Sequence, residues 1–334
     1  MTTDQLTATT DVTGPADPAP RSLIREWSRF GLPVLLLAFV VFFSMVRPDT
    51  FATTGTIRTV LSTQAVLALL ALAAFVTLYI GQFDLSIGYQ LGLAAILVPG
   101  LTANQGLSLT LAVLLAIGAC ACVGLINGLL VAVVRVNSFI STIAMGALLY
   151  AFILYYTDGA PIFEGVPASL RSIASADILG VPLPPLYVLV LGTALWILVQ
   201  RTPFGRYMAA VGGSEDAARL AGINTVRVTA LSFVLAGALA GCAGALTAAQ
   251  LGTGNPAVGP GFLLPAFAAA FLGSTCFRVG TFNVWGTLTA VVTIATGVAG
   301  LNLLGMPQWV DPAFNGAALL VAVIATRYLR GRAV

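Results

Sequence analysis

Apolar residues run along this chain in long blocks separated by short polar stretches, and block length carries the first inference. A helix crossing about 30 Å of hydrocarbon needs roughly 20 mostly apolar residues. Ten blocks approach or reach that length, at about 30–46, 59–80, 85–101, 108–134, 138–157, 185–200, 228–250, 262–277, 282–303 and 310–326. The third carries glycines and Pro99, which leave a broken or re-entrant element as the alternative. The pattern predicts an all-α polytopic integral membrane protein with about ten transmembrane helices, roughly eight to ten, some of them broken. On this reading 1–29 is an N-terminal tail, 30–328 the transmembrane domain and 329–334 a C-terminal tail.

Polar positions sharpen the picture. Only 8% of residues are charged and 58% are hydrophobic, against about 25% charged in a soluble domain. Every one of the 15 basic residues is arginine and there is no histidine. Histidine-based metal sites, general bases and Ser-His-Asp triads are therefore excluded, and no catalytic residues are assigned. Cys120, Cys122, Cys242 and Cys276 fall in apolar or small-residue runs and read as small hydrophobes, Cys120-Ala-Cys122 lacking zinc spacing. The net charge of +3 comes from short arginine clusters and points to no nucleic-acid partner. Residues 1–20 are rich in Thr, Asp and Pro and read as disordered. The first apolar block follows Arg21, Arg25 and Arg29 and lacks a small-residue cleavage pattern, so it reads as a retained span.

Ten spans with a cytoplasmic N-terminus put Arg21, 25, 29, 135, 201, 206, 219, 227, 278, 327, 330 and 332 inside, and only Arg47, Arg58 and Arg171 outside. That bias is what the positive-inside rule expects, and it favours an even span count with both termini cytoplasmic. Two loops are long. Residues 158–184 face outward and mix Pro and Gly with a short amphipathic stretch, while 201–227 face the cytoplasm. Within the second, Ser214 is a plausible N-cap, Glu215 and Asp216 sit where the helix dipole favours acids, and Gly222 ends a helix of about two turns. Such a short helix needs support, either from a partner's groove or from the membrane surface.

The run TPFGRYMAAVGGSEDAARLAG, Thr202 to Gly222, resembles the cytoplasmic loop of permease subunits in bacterial ABC importers for monosaccharides of the ribose, xylose and galactose type. The matching residues are Thr202, Phe204, Gly205, Arg206, Ala210, Gly212, Gly213, Ala217, Ala218, Gly222 and Ile223. The resemblance extends over about 50–326, through Asp84-Leu85-Ser86-Ile87-Gly88, Gly124 to Gly128, Phe139 to Thr142 and Ala236 to Gly241. It implies that the loop is the coupling helix, which docks on a separate ATPase subunit through Gly205, Arg206, Gly212, Gly213, Glu215, Asp216, Ala217, Ala218 and Gly222. It also implies an extracytoplasmic solute-binding protein, a second permease copy or close relative, and no cofactor on this chain, since ATP is hydrolysed by the partner. The chain has no G-x-x-x-x-G-K-[ST] and no lysine with which to build one. Departures at Phe262 to Phe267 and Gly273 to Phe282 leave non-sugar solutes such as a polyol or a signalling furanone open.

An uncharged solute calls for hydroxyls, amides and aromatic faces along its path. Candidates at membrane depth are Ser86, Asn127, Phe139, Ser141 and Thr142, with Gln64, Ser138, Tyr150 and Asn302 beside them; each is also a plausible packing residue. Glycine pairs 88/92, 124/128 and 237/241 have the spacing that lets helices approach closely. Five spans on each side of the outer loop suggest an inverted repeat. Between Arg58 and Arg135 the only charged residue is Asp84, within GQFDLSIGYQLG. A carboxylate at bilayer depth is costly facing lipid, so Asp84 reads as a cap at a helix break, with Gly81 and Gly88 letting the backbone bend there and the turn joining the moving pathway. An ion-coupled secondary transporter is the rival class, and Asp84 is its only candidate carrier; a membrane enzyme has little to build on.

Overall fold

The computed structural model describes residues 30–178 and 180–330, with side chains to residue 324. The tails read at 1–29 and at 331–334 lie outside the described residues, while 329 and 330 belong to the last helix. The chain forms α1 (Gly31–Val46), α2 (Thr54–Thr63), α3 (Ala65–Tyr79), α4 (Ile87–Ala103), α5 (Leu109–Ala132), α6 (Ser138–Thr157) and α7 (Ser169–Ser175). A two-residue hairpin, β1 (Asp177–Ile178) with β2 (Val181–Pro182), leads into α8 (Leu183–Arg201), α9 (Pro203–Gly213), α10 (Glu215–Leu220) and α11 (Thr225–Leu251). A 3-10 turn at Pro260–Phe262 opens α12 (Leu263–Gly273), followed by α13 (Val284–Leu303) and α14 (Val310–Arg330).

Every predicted block contains a helix, but their lengths differ. Five helices, α5, α6, α8, α11 and α13, are each long and apolar enough to cross a bilayer. The pair α2 and α3, bent by 40° at Gln64, makes a sixth. The helices at Gly31–Val46, Ile87–Ala103, Pro260–Gly273 and Val310–Ile324 are apolar but shorter. The third block, for which a broken or re-entrant element was the alternative, is one helix that keeps Pro99 inside it; the break lies before it, at Gly81 to Ser86.

The core is built on α11, which packs against α5, α4 and α3. Its most apolar stretch is 72% buried, against 22% for α5 and for α8, so α11 is central and the other two are peripheral. Lipid tails are as apolar as leucine, so helices in a bilayer associate by close van der Waals contact. Small residues supply that contact here. A β-carbon on Gly128 of α5 would lie 2.7 Å from the Ala230 Cα of α11, and one on Gly241 of α11 2.9 Å from the Ile117 Cα of α5. Gly124 and Gly237 face the opposite backbone in the same seam. The predicted close-packing role of these two pairs is therefore seen directly, as glycine set against backbone. Gly88 and Gly92 back instead onto the loop at Val258 and Gly259.

At one end of the bundle, α7 covers α11 and the hairpin packs on α2 and α8. Arg58 forms an ion pair with Asp177, the Tyr187 hydroxyl donates to the Ile173 carbonyl at 3.1 Å, and Ile162 and Gly254 exchange backbone hydrogen bonds at 2.8 Å. The Arg171 side chain lies against Gly252, where its charge meets the carbonyl end of α11. The opposite end carries α9 and α10.

Candidate functional site

The break between α3 and α4 is built from its own residues. Gly81 sits at φ +77°, a conformation that favours glycine, and turns the chain out of α3. The segment is then pinned to α6: the Phe83 amide donates to Ser138 Oγ at 3.2 Å, and the Leu85 amide donates to Thr142 Oγ1 at 3.0 Å. Thr142 in turn donates to the Ser138 carbonyl at 2.7 Å. Two backbone amides that the break leaves without helical partners are thereby satisfied.

Asp84 is fully buried. Its Oδ1 accepts from the Ser86 amide at 3.0 Å and from the Ser86 hydroxyl at 2.6 Å. Ser86 Oγ also accepts from Gln90 Nε2 at 2.7 Å and Asn127 Nδ2 at 2.8 Å, so one hydroxyl joins the break, α4 and α5. Asp84 thus closes the turn at Ser86, the residue before α4, and does not reach into the helix's first turn as a cap would. Three acceptors of this cluster, Asp84 Oδ2, Gln90 Oε1 and Asn127 Oδ1, meet no donor among the described residues.

Other pathway candidates separate from the cluster. Ser138, Ser141 and Thr142 spend their hydroxyls on backbone, Ser141 donating to the Ser138 carbonyl at 3.2 Å. Phe139 is half exposed and meets Phe83 edge to face, with ring centres 6.4 Å apart. Gly88, expected to help the backbone bend, lies inside α4 and serves close packing against Gly259. Gln64 sits at the bend of α2 and α3, Tyr150 packs on Tyr89, and Asn302 donates to Asp311; none joins the cluster. Gln90 is the residue that sequence reading missed. Its signal was a lone amide one turn beyond Ser86 in an otherwise apolar helix.

The long polar loop folds into two short helices. Thr202 caps α9, accepting from the Gly205 amide at 3.3 Å, and Pro203 occupies its first position. Ser214 caps α10, accepting from the Ala217 amide at 3.3 Å, with Glu215 and Asp216 in its first turn and Gly222 at φ +82° beyond its end. The predicted α10 is present; α9 went unread. Met208, Val211 and Ala218 are buried, so Ala218 faces its own bundle, whereas Ala217, Leu220 and Ala221 face outward with Leu220 89% exposed. Arg206, Glu215, Asp216 and Gly213 are exposed, and Asp216 pairs with Arg219 at 2.6 Å. Gly205 is buried against the Val199 backbone, and Gly212 lies against the Tyr79 carbonyl and Ile80 at the end of α3. A β-carbon on Gly81 would lie 3.7 Å from the Gly212 carbonyl, so α9 touches the break directly.

Between break and loop lies a cleft of about 560 Å3. Gly81, Gln82 and Phe83 form one wall, Arg135, Ser138 and Phe139 another, and Glu215, Asp216 and Arg219 of α10 a third. A short capped helix therefore sits across a polar cavity from the break between α3 and α4.

Comparison with known proteins gives the family. A family described as "Branched-chain amino acid transport system / permease component" matches residues 56–323. The chain is 34% identical to the ribose import permease of Bacillus subtilis, covering 87% of this chain and 90% of that one. The chain belongs to this permease family. It is also 31% identical to the autoinducer 2 import system permease of Photorhabdus laumondii, over 82% of each chain. With the D-allose transport permease of Escherichia coli it shares 28% identity, over 91% of this chain and 93% of the other. No solved structure matches. The match bears out the resemblance read from Thr202 to Gly222, and with the apolar helices it makes this permease a multi-pass protein of the bacterial inner membrane.

Proposed function

We propose that this permease is the membrane-spanning subunit of an ATP-binding cassette importer that moves a small polar solute, a monosaccharide, by alternating access. Two cytoplasmic ATPase subunits dock at α10, a solute-binding protein delivers solute from outside, and a second copy or close relative completes the pathway. The observation that carries the reading is the contact between α9 and the break, with α10 across the cleft: a push on α10 has a direct route to the only charged residue between Arg58 and Arg135. Exposed Leu220 with Arg206, Glu215 and Asp216 around it supports docking on another protein, since short helices anchor in grooves by an apolar tip and a charged rim.

In this reading the six span-length segments and four shorter helices give ten spans, in two five-helix halves of opposite orientation. Both termini are cytoplasmic, supported by twelve of fifteen arginines on that side. The unmatched acceptors of Asp84, Gln90 and Asn127 suit a solute rich in hydroxyl donors. ATP is bound by the partner; this subunit performs no chemistry of its own.

Reconstitution in vesicles with its ATPase and binding protein tests the proposal. Uptake of labelled ribose should require ATP, and E215Q/D216N should reduce uptake and ATPase association without removing the protein from the membrane. Solute flux driven by an ion gradient with no ATPase present would support a secondary transporter instead. A tag at residue 165 should be accessible from outside and one at residue 213 from inside; the reverse would overturn the orientation.

A further inference from the structure

The seam between α8 and α13 runs antiparallel and shares no lining residue with the cleft at the break. At one end it holds a cavity of about 240 Å3 lined by Trp196, Gln200, Phe277, Arg278 and Trp285. Arg278 donates to Gln200 Oε1 at 2.7 Å, and the Arg201 guanidinium lies 5.6 Å over the Trp196 ring, leaving two cations beside a paired indole wall whose ring centres are 6.5 Å apart. Midway, Gly192 lets Leu288 approach, a β-carbon there falling 3.2 Å from Leu288 Cδ1. Further along opens an apolar groove of about 200 Å3, lined by Ala65, Ala68, Val188, Leu189, Leu288 and Val291.

We infer that this seam binds one anionic phospholipid, its headgroup phosphate at Arg201 and Arg278 and one acyl chain along the groove. Three features agree. Tryptophan and arginine together at a helix end mark the level of the headgroups, and basic pockets between membrane helices attract anionic lipid. The groove beyond is apolar, as a chain requires. From Trp285 to Ala295 the helix rises about 15 Å, which matches one leaflet's half of roughly 30 Å of hydrocarbon. The inference needs only a chain lying in the membrane and is independent of solute and ATPase.

Native mass spectrometry of the full-length chain, released from micelles holding equal phosphatidylglycerol and phosphatidylethanolamine, reads the retained ratio. The wild type should retain phosphatidylglycerol preferentially. R201Q/R278Q should lower that preference about thirtyfold, near fivefold for each arginine. R278K keeps the charge and should keep the preference. V188W fills the groove without touching a cation and should lower retention of both lipids. Unchanged preference in R201Q/R278Q overturns the inference, as does full retention in V188W. Displacement of the lipid by inorganic phosphate would mark a free-anion site and overturn it too. So would efficient disulfide cross-linking between two L189C copies in native membranes, which would make the seam a face between permeases.

Discussion

S86A removes one oxygen that donates once and accepts twice. The hydroxyl gives 2.6 Å to Asp84 Oδ1 and receives the amides of Gln90 at 2.7 Å and Asn127 at 2.8 Å, all fully buried. A buried donor left without an acceptor costs about 1–3 kcal/mol, and a hydrogen bond to a charged group contributes about 1.5–3 kcal/mol. Both amides have a fallback, because Asp84 Oδ2 meets no donor and lies in the same cluster. Allowing that recovery, S86A should destabilise the fold by about 3 kcal/mol, near the low end of the summed range. Unfolding titrated with SDS in mixed micelles measures it. N127L in the S86A background removes one stranded donor, so the double variant should lie about 1–2 kcal/mol closer to wild type than the sum of the singles. An S86A midpoint indistinguishable from wild type, with an additive cycle, would refute the hub.

Three further variants probe other parts. D84N keeps an oxygen for Ser86 but turns the unmatched acceptor into an amide donor, so it should preserve stability and lower uptake; normal uptake in D84N would confine Asp84 to holding the turn. G212L drives a side chain into the Tyr79 carbonyl, whereas a β-carbon on Gly213 meets nothing within 4 Å. ATP-driven uptake should therefore fall about tenfold or more in G212L, a barrier change near 1.4 kcal/mol; an unchanged rate would sever α9 from the break. G128L overpacks the α5–α11 seam and should cost about 1–3 kcal/mol in the same SDS titration, while G118L, in open space, should be neutral.

The helical blocks were legible because a bilayer leaves backbone groups no other partner, so composition and length alone locate the helices. The α10 cap was legible because Ser214, the two acids and Gly222 are local signals. Which helix is central was not. α3 and α5 are both apolar almost throughout, yet α3 is buried along almost its whole length and α5 only 22% along its best window. In lipid both faces of a helix are hydrophobic, so the amphipathic stripe that marks the core of a soluble protein is missing. The same blindness hid Gln90, whose meaning depends on Asn127 arriving from another helix. It also left Ser138 and Thr142 open to a lining role, when their hydroxyls are occupied by the amides of the break.

The cleft beneath the break has a thermodynamic consequence of its own. Its 560 Å3 corresponds to on the order of twenty water molecules at about 30 Å3 each. Any stroke that brings α10 against the break must return that water to bulk. On the proposed alternating access, the equilibrium between open and shut forms would then be set partly by the activity of water on the side to which the cleft opens. An impermeant osmolyte excluded from the cleft would pull towards the shut form and dilution towards the open one, so the proposed stroke would be osmotically loaded.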